Sequence, residues 1–125
     1  MEKTCLIVDD DSAVRTYLKA VLQREQYVTL EAGDAPQAFN LVQERKGDLD
    51  LIVTDITMPG DMDGLDLAYA VRTRFPAIPV VLVSGFADTV SASQGFRDFA
   101  FLHKPFTPAA IMGAVNRVAT GSCAD

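Results

Sequence analysis

The chain has 125 residues, which is the usual size of one domain and is enough to bury a core of two or three layers. Hydrophobic residues make up 49% of it and charged residues 22%, the balance of a globular protein, and no apolar run reaches the ~18 residues of a membrane span. The net charge of −6 disfavours nucleic acid as a direct partner, because phosphates are bound by basic surfaces. We therefore expect one domain without membrane insertion.

The amino terminus and the cysteines indicate the compartment. A single Lys precedes a strand-like run, so we expect no signal peptide. Cys5 and Cys123 lie at opposite ends of the chain and lack the spacing of metal ligands. A buried apolar residue and a tail thiol in a reducing cytoplasm account for both, and we predict a cytoplasmic protein.

Short β-branched runs alternate with segments of helical periodicity in the first half of the chain. We predict a strand at residues 5–8, a helix capped by Ser12, a weaker strand at residues 28–30, and a helix capped by Asp34 with Pro36 in its first turn. The apolar stripe of the first helix comprises Val14, Tyr17, Leu18, Val21 and Leu22.

The second half of the chain continues this alternation. We predict strands at residues 51–53, 78–83 and 100–102, a third helix after the loop at residues 58–64, and a last helix opened by Thr107 and Pro108 and ended by Gly121. A fourth helix between Asp88 and Phe99 is interrupted by Gly95 and has few strong helix formers, so we expect it to be short or mobile.

The first, third and fourth strands are continuous apolar runs, which is typical of strands buried on both faces of a parallel sheet. Five strands alternating with helices predict a doubly wound α/β fold. The chain has no linker or repeat. We assign residues 1–121 to one domain and residues 122–125 to a short tail.

Polar residues follow four of the five predicted strands. Asp9, Asp10 and Asp11 follow the first strand, Asp55 the third, Ser84 the fourth, and Lys104 the fifth. Taken singly, each has an ordinary explanation as a helix cap, a turn residue or a solvated charge. A parallel sheet, however, brings the carboxyl ends of its strands to one edge, where ligands bind in open α/β sheets.

Crowded acids at that edge predict a particular chemistry. Two carboxylates ~4 Å apart repel by about 4 kcal/mol at an effective dielectric of ~20, so the cluster favours a bound cation. Oxygen ligands suit Mg²⁺, with Mn²⁺ as an alternative. A hydroxyl and an ammonium nearby can bind phosphoryl oxygens. The set therefore indicates metal-assisted phosphoryl transfer to a carboxylate.

Four segments in order resemble the receiver domain of two-component response regulators, the CheY-like family. They are residues 6–11, 53–59, 83–85 and 101–106. The resemblance implies that Asp55 is the phosphoacceptor and a metal ligand, that Asp10 ligates the metal directly, and that Asp9 acts through a metal-bound water. It also implies that the backbone carbonyl of Thr57 completes the metal ligands.

The same resemblance implies a flavodoxin-like sheet of order 2-1-3-4-5 flanked by five helices. Ser84 and Lys104 would assist the phosphoryl transfer, Ser84 and Phe101 would form the conformational switch, and the Lys104–Pro105 bond would be cis. The phosphodonor would be a histidine kinase, a histidine phosphotransfer protein or a small acyl phosphate. A downstream protein would bind the face of the fourth helix, fifth strand and fifth helix, and the chain would be a switch rather than an enzyme.

The sequence departs from the family pattern at several positions. The loop at residues 58–64 is one residue longer than usual, with Asp61 as the extra residue, and Phe101 replaces the frequent Tyr. Phe86 places an apolar group where members of the family vary. We interpret His103 as a surface or half-buried residue and not as a phosphodonor. The sequence of residues 58–88 most resembles that of receiver domains attached to hybrid sensor kinases.

Three other functions are compatible with parts of this pattern. A phosphatase of the haloacid-dehalogenase type would use Asp9 as nucleophile and Asp11 as general acid, but it needs acids after Lys104, where only Asp125 stands. A flavodoxin-like cofactor binder would need a hydroxyl- and Gly-rich loop where this chain has three acids. A receiver-shaped module that is never phosphorylated would not need the intact set of Asp10, Asp55, Ser84 and Lys104.

Overall fold

A computed structural model describes residues 2–58, 60–84 and 99–119 of the chain. Its strands are β1 (Lys3–Val8), β2 (Tyr27–Ala32), β3 (Leu51–Asp55), β4 (Val80–Ser84) and β5 (Ala100–His103). Its helices are α1 (Ser12–Arg24), α2 (Ala35–Glu44), α3 (Gly64–Arg74) and α4 (Pro108–Ala119). The five predicted strands are confirmed, and α4 is the predicted last helix. The predicted helix at residues 88–98, the helix end at Gly121 and the domain end at residue 121 lie outside the described residues.

All five strands are parallel and lie in the order β2-β1-β3-β4-β5, as the family resemblance implied. The chain leaves β1 toward one edge of the sheet and returns to the other side of β1 at β3. This reversal makes the carboxyl ends of β1 and β3 the switch point of the sheet, where a ligand crevice forms. Asp9 directly follows β1, and Asp55 ends β3.

Apolar side chains cover both faces of the sheet, which confirms the doubly wound arrangement. On one face, α2 and α3 contribute Ala38, Val42, Leu67 and Val71 to a core with Leu6, Ile52 and Leu82 of the strands. On the other face, α1 and α4 contribute Leu18, Leu22, Ile111 and Val115 to a core with Ile7, Val53 and Val83. Burial of these strands on both sides holds their carboxyl ends in a fixed relation to one another.

Acidic side chains cap three of the helices. Asp34 accepts a hydrogen bond from the Gln37 backbone N–H, as predicted, and Asp63 forms a capping box with Asp66 at the start of α3. The prediction that Ser12 caps α1 is wrong: the Asp11 carboxylate accepts from the Ala13 N–H at 2.9 Å, and Ser12 already lies within the helix. A carboxylate placed one residue earlier thus satisfies a free amide of the first turn.

The buried face of α1 is also narrower than the predicted apolar stripe. Leu18, Val21 and Leu22 are buried, but Tyr17 is 40% exposed and stacks on Phe106 with ring centroids 5.8 Å apart. In the described parts of the chain, every helix is too short or too polar to cross a bilayer.

Candidate functional site

Three acidic residues meet where β1 and β3 end. Asp9 is 1% exposed and Asp55 6% exposed, whereas Asp10 is exposed to solvent. One carboxylate oxygen from each of the three lies within 4.8 Å of the others. The acids that were predicted to gather from residues 9–10 and 55 are therefore brought together, two of them in the interior of the protein.

Lys104 reaches this cluster from the far side of β4. Its Nζ lies 3.4 Å from Asp55 Oδ2 and 3.6 Å from Asp9 Oδ2. A single ammonium therefore neutralises part of the charge of two buried carboxylates. Lys104 follows β5 directly, so the fifth strand positions it, as the sequence predicted.

The carboxyl groups hold their protons more tightly than free carboxylic acids do. Burial and the nearby charge of Asp9 raise the pKa of Asp55 to about 6, although Lys104 and a hydrogen bond from the Thr57 backbone act in the opposite direction. Burial also raises the pKa of Asp9. Burial alone would lower the pKa of Lys104, but Asp55 and Asp9 outweigh it and the pKa is raised. Near neutral pH the site therefore carries a charged lysine beside carboxylates that ionise at a free-energy cost.

The acid cluster has the chemistry of a site for a hard divalent cation. Asp9 Oδ1 accepts the Asp11 backbone N–H at 2.9 Å, but the buried Asp9 Oδ2 accepts no hydrogen bond from the described residues. Lys104 Nζ lies 3.6 Å from this oxygen but is shared with Asp55, so a cluster of three acids with one ammonium still favours a bound cation. Since the candidate ligands are oxygens, Asp9, Asp10 and Asp55 fit an ion such as Mg²⁺.

The loop after β3 packs directly against the backbone of Asp55. A Cβ placed on Gly64 would lie 1.9 Å from the Asp55 carbonyl oxygen, and the Gly64 N–H donates to the Ile56 carbonyl at 2.9 Å. Only glycine permits this close approach. Asp63 and Gly64 thus start α3 despite the longer loop, and Asp55 keeps its place in the sheet. Thr57 is exposed, and a ligand role for its carbonyl stays a prediction.

Ser84 lies at the same edge, and a histidine contacts its side chain. Ser84 is 1% exposed, and its Oγ lies 3.0 Å from His103 Nδ1. Ser84 and His103 are paired across β4 and β5, each as the last residue of its strand. The interpretation of His103 as a surface or half-buried residue is confirmed, but sequence reasoning missed its contact with Ser84.

The predicted switch residue Phe101 is half-buried and packs against the core on the α2–α3 side of the sheet. Its place in β5 is two residues before His103. The Lys104–Pro105 peptide bond is cis, as the resemblance implied. Phe86 lies outside the described residues.

Arg15 is a further residue of the site that sequence reasoning missed. Its Nη1 donates to the Asp9 backbone carbonyl at 2.6 Å, and its Nε lies 3.1 Å from Glu31 Oε1. Arg15 therefore fixes the backbone that carries the first two acids. The available signal was its position in the first turn of α1, four residues after the cap Asp11, which keeps it close to the residues that precede the helix.

The sheet order and the acids at its switch point define a flavodoxin-like receiver fold. A family model described as the response regulator receiver domain matches residues 5–116. The chain therefore belongs to the response regulator receiver domain family. In two-component systems, domains of this family interact with histidine kinases and downstream effectors.

Solved structures and curated proteins agree with this assignment. A response regulator receiver protein from Sinorhizobium medicae WSM419 is 28% identical, with a TM-score of 0.86 and 95% of each chain covered. The receiver domain of NtrX from Brucella abortus is 29% identical, with a TM-score of 0.83, covering 93% of this chain and 98% of that one.

Two curated relatives are much longer proteins. Sensor kinase CckA of Brucella abortus (strain 2308) is 37% identical over 106 residues, which are 83% of this chain and 11% of CckA. The DNA-binding transcriptional regulator NtrC of Proteus hauseri is 32% identical over 119 residues, which are 91% of this chain and 24% of NtrC. The chain thus spans less than a quarter of the length of either relative.

Proposed function

We propose that Asp55 accepts a phosphoryl group from the phosphohistidine of a histidine kinase or a histidine phosphotransfer protein, and that the aspartyl phosphate switches a protein-binding surface. The observation that carries this proposal is the buried Asp55 carboxylate, which forms a cluster with two further acids and lies 3.4 Å from the Lys104 ammonium. A structural ion pair needs no such excess of acids, whereas a nucleophile for an anionic donor needs both a cation site and a fixed positive charge.

The transfer needs no reactant besides Asp55 and the phosphoryl donor. A carboxylate oxygen of Asp55 attacks phosphorus, the P–N bond to the donor imidazole breaks, and the bond's electron pair returns to the ring nitrogen. With a small acyl phosphate the P–O bond breaks instead, and a carboxylate leaves. Since the pKa of Asp55 is about 6, the nucleophile is ionised at neutral pH. Lys104 and Ser84 would bind the phosphoryl oxygens as negative charge moves onto them.

Asp9, Asp10, Asp55 and the Thr57 carbonyl would hold a Mg²⁺ ion, or Mn²⁺ in its place. When bound, the ion offsets the repulsion between this acid cluster and an anionic phosphoryl group. Asp10 would ligate directly because it is exposed at the mouth of the cluster, and Asp9 would act mainly through a water molecule.

The output would be the binding of a downstream protein. We propose that a downstream protein binds the surface of residues 88–98, β5 and α4, and that the position of Phe101 reports the state of Asp55 to that surface. We place the receiver domain at residues 1–121 and the tail at residues 122–125, in the cytoplasm. The CckA match supports a receiver of the hybrid sensor kinase type.

Trapping of the phosphorylated residue tests the proposal. Incubation with Mg²⁺ and acetyl phosphate should add one phosphoryl group to the intact protein, and the group should map to Asp55. Asp55→Asn should abolish it, and chelation of the metal should prevent it. Asp48→Asn is the matched control, because Asp48 is exposed and outside the cluster. Label on Asp9 would instead support the phosphatase, and an absence of label in the native chain would refute the proposal.

A further inference from the structure

We infer that His103 is a positioning residue: it holds the Ser84 hydroxyl in the unphosphorylated protein and must release it before Ser84 can bind a phosphoryl group on Asp55. This inference rests on the proposed function. The observation behind it is the 3.0 Å distance between Ser84 Oγ and His103 Nδ1.

The backbones on both sides of this contact are fixed. The Ser84 carbonyl accepts the Lys104 backbone N–H at 2.9 Å, and the Val83 carbonyl accepts the Ile56 N–H at 2.9 Å. Ser84 and His103 are also direct partners in the β4–β5 register. The Ser84 hydroxyl can therefore change its partner by rotation of the side chain, without any movement of the strand.

The two side chains differ in their access to water. Ser84 is 1% exposed, so bulk water does not readily replace a lost partner of its hydroxyl. The His103 side chain is exposed and can be hydrated when the contact breaks. Loss of the contact therefore costs more free energy at the Ser84 hydroxyl than at the His103 ring. The hydroxyl must then find another hydrogen-bond partner.

A phosphoryl group on Asp55 would compete with His103 for that hydroxyl. The hydroxyl has one proton, so Ser84 cannot donate it to His103 Nδ1 and to a phosphoryl oxygen at once. In the other imidazole tautomer, Nδ1–H donates to Oγ and leaves the hydroxyl proton free for another acceptor. The tautomer whose Nδ1 accepts the Ser84 proton is therefore the one that stabilises the unphosphorylated arrangement. One net hydrogen bond corresponds to about a 2- to 10-fold shift in such an equilibrium.

A titration with beryllofluoride, a phosphoryl analogue, in the presence of Mg²⁺ tests the inference on the full chain. Amide resonances of Ser84 and Phe101 report the response. We expect His103→Val to lower the half-saturating concentration about 2- to 10-fold relative to the native chain. His103→Asn is the matched control: its side-chain amide can take the place of Nδ1, so it should stay near the native value.

Ser84→Ala completes a double-mutant cycle. This variant should bind the analogue more weakly, and in its background His103→Val should have no further effect. An unchanged or higher half-saturating concentration in His103→Val, or a His103→Val effect that persists without the Ser84 hydroxyl, overturns the inference. Absence of any response in the native chain refutes the proposed function instead, so the two failures are distinguishable. Amide dispersion of each variant confirms that it is folded.

Discussion

Lys104 Nζ lies 3.4 Å from Asp55 Oδ2, although the two residues stand 49 positions apart and β4 separates their strands. The contact exists because parallel strands end at one edge and because a lysine side chain is long enough to cross the end of a neighbouring strand. Asp9 Oδ2 lies 3.6 Å from the same Nζ. Lys104 is thus the fixed positive charge through which the two buried carboxylates are held together.

Lys104→Met should slow phosphorylation of Asp55 by acetyl phosphate by about 100-fold, the usual cost of removing one donor to a reacting oxyanion. The change removes the ammonium and keeps the length of the side chain and the backbone N–H that binds Ser84. The initial rate of phosphoryl addition, followed by intact mass, measures the effect. Lys104→Arg should retain part of the rate because its charge remains. A native rate in the Met variant would remove Lys104 from the proposed mechanism.

Asp55 should make the metal-free protein less stable as the pH rises. Its pKa is about 6 in the folded chain and near 3.8 in the unfolded chain, so the folded state binds the extra proton between these values. The contribution of Asp55 to the stability of the protein is therefore greatest below about pH 4 and is lost as the pH rises through about 6. The predicted loss is on the order of 3 kcal/mol.

Asp55→Asn tests the predicted direction of this pH dependence, because the amide cannot ionise. With a chelator present, chemical denaturation should show the variant to be more stable than the native chain by on the order of 3 kcal/mol at pH 8, with a much smaller difference at pH 4. An equal free energy of unfolding for the two proteins at pH 8 would mean that Asp55 ionises without cost in the folded state.

Much of the fold was predictable because its strands are short apolar runs between polar residues. The run at residues 51–53, for example, has no alternation, which distinguishes a strand buried on both faces from one at a surface. Alternating strands and helices then require a doubly wound sheet. The order of the strands came from the family resemblance, since apolar periodicity does not say which strand is the neighbour of which.

The acids and Lys104 were predictable for a related reason: each lies at or just after the carboxyl end of a strand, so the sheet alone determines that they meet. Arg15 and His103 were not, because their contacts depend on side-chain direction and on the register of neighbouring elements. His103 meets Ser84 only because β4 and β5 end at paired residues. The wrong cap at Ser12 has a similar origin, since Asp11 and Ser12 are both good capping residues and only the backbone dihedrals distinguish them.

Mg²⁺ should bind the acid cluster in competition with protons. Binding requires ionised carboxylates, and the pKa of Asp55 is about 6, so the Mg²⁺ affinity should be steady above about pH 7 and fall roughly 10-fold per pH unit below 6. Titration calorimetry at several pH values measures this dependence. Asp10→Asn should weaken binding at every pH, whereas Asp48→Asn should leave it unchanged. Equal affinities in these two variants would place the metal elsewhere.

Gly64 should be indispensable, whereas Gly113 should be replaceable. A Cβ on Gly64 would lie 1.9 Å from the Asp55 carbonyl oxygen, so Gly64→Ala must displace the backbone of β3 or α3 and should cost about 2 kcal/mol or more. A Cβ on Gly113 would meet no atom within 4 Å, and Gly113→Ala within α4 should stabilise the protein by roughly 0.5–1 kcal/mol.

Thermal and chemical denaturation of the two alanine variants compares the same substitution in a crowded and in an open position. Because the clash at Gly64 falls on the carbonyl of Asp55 itself, Gly64→Ala should also slow phosphorylation by acetyl phosphate, whereas Gly113→Ala should leave the rate unchanged. A Gly64→Ala protein with native stability and a native rate of phosphorylation would show that the loop after β3 can shift without moving Asp55. In that case the close packing of α3 against β3 would not be what positions the carboxylate.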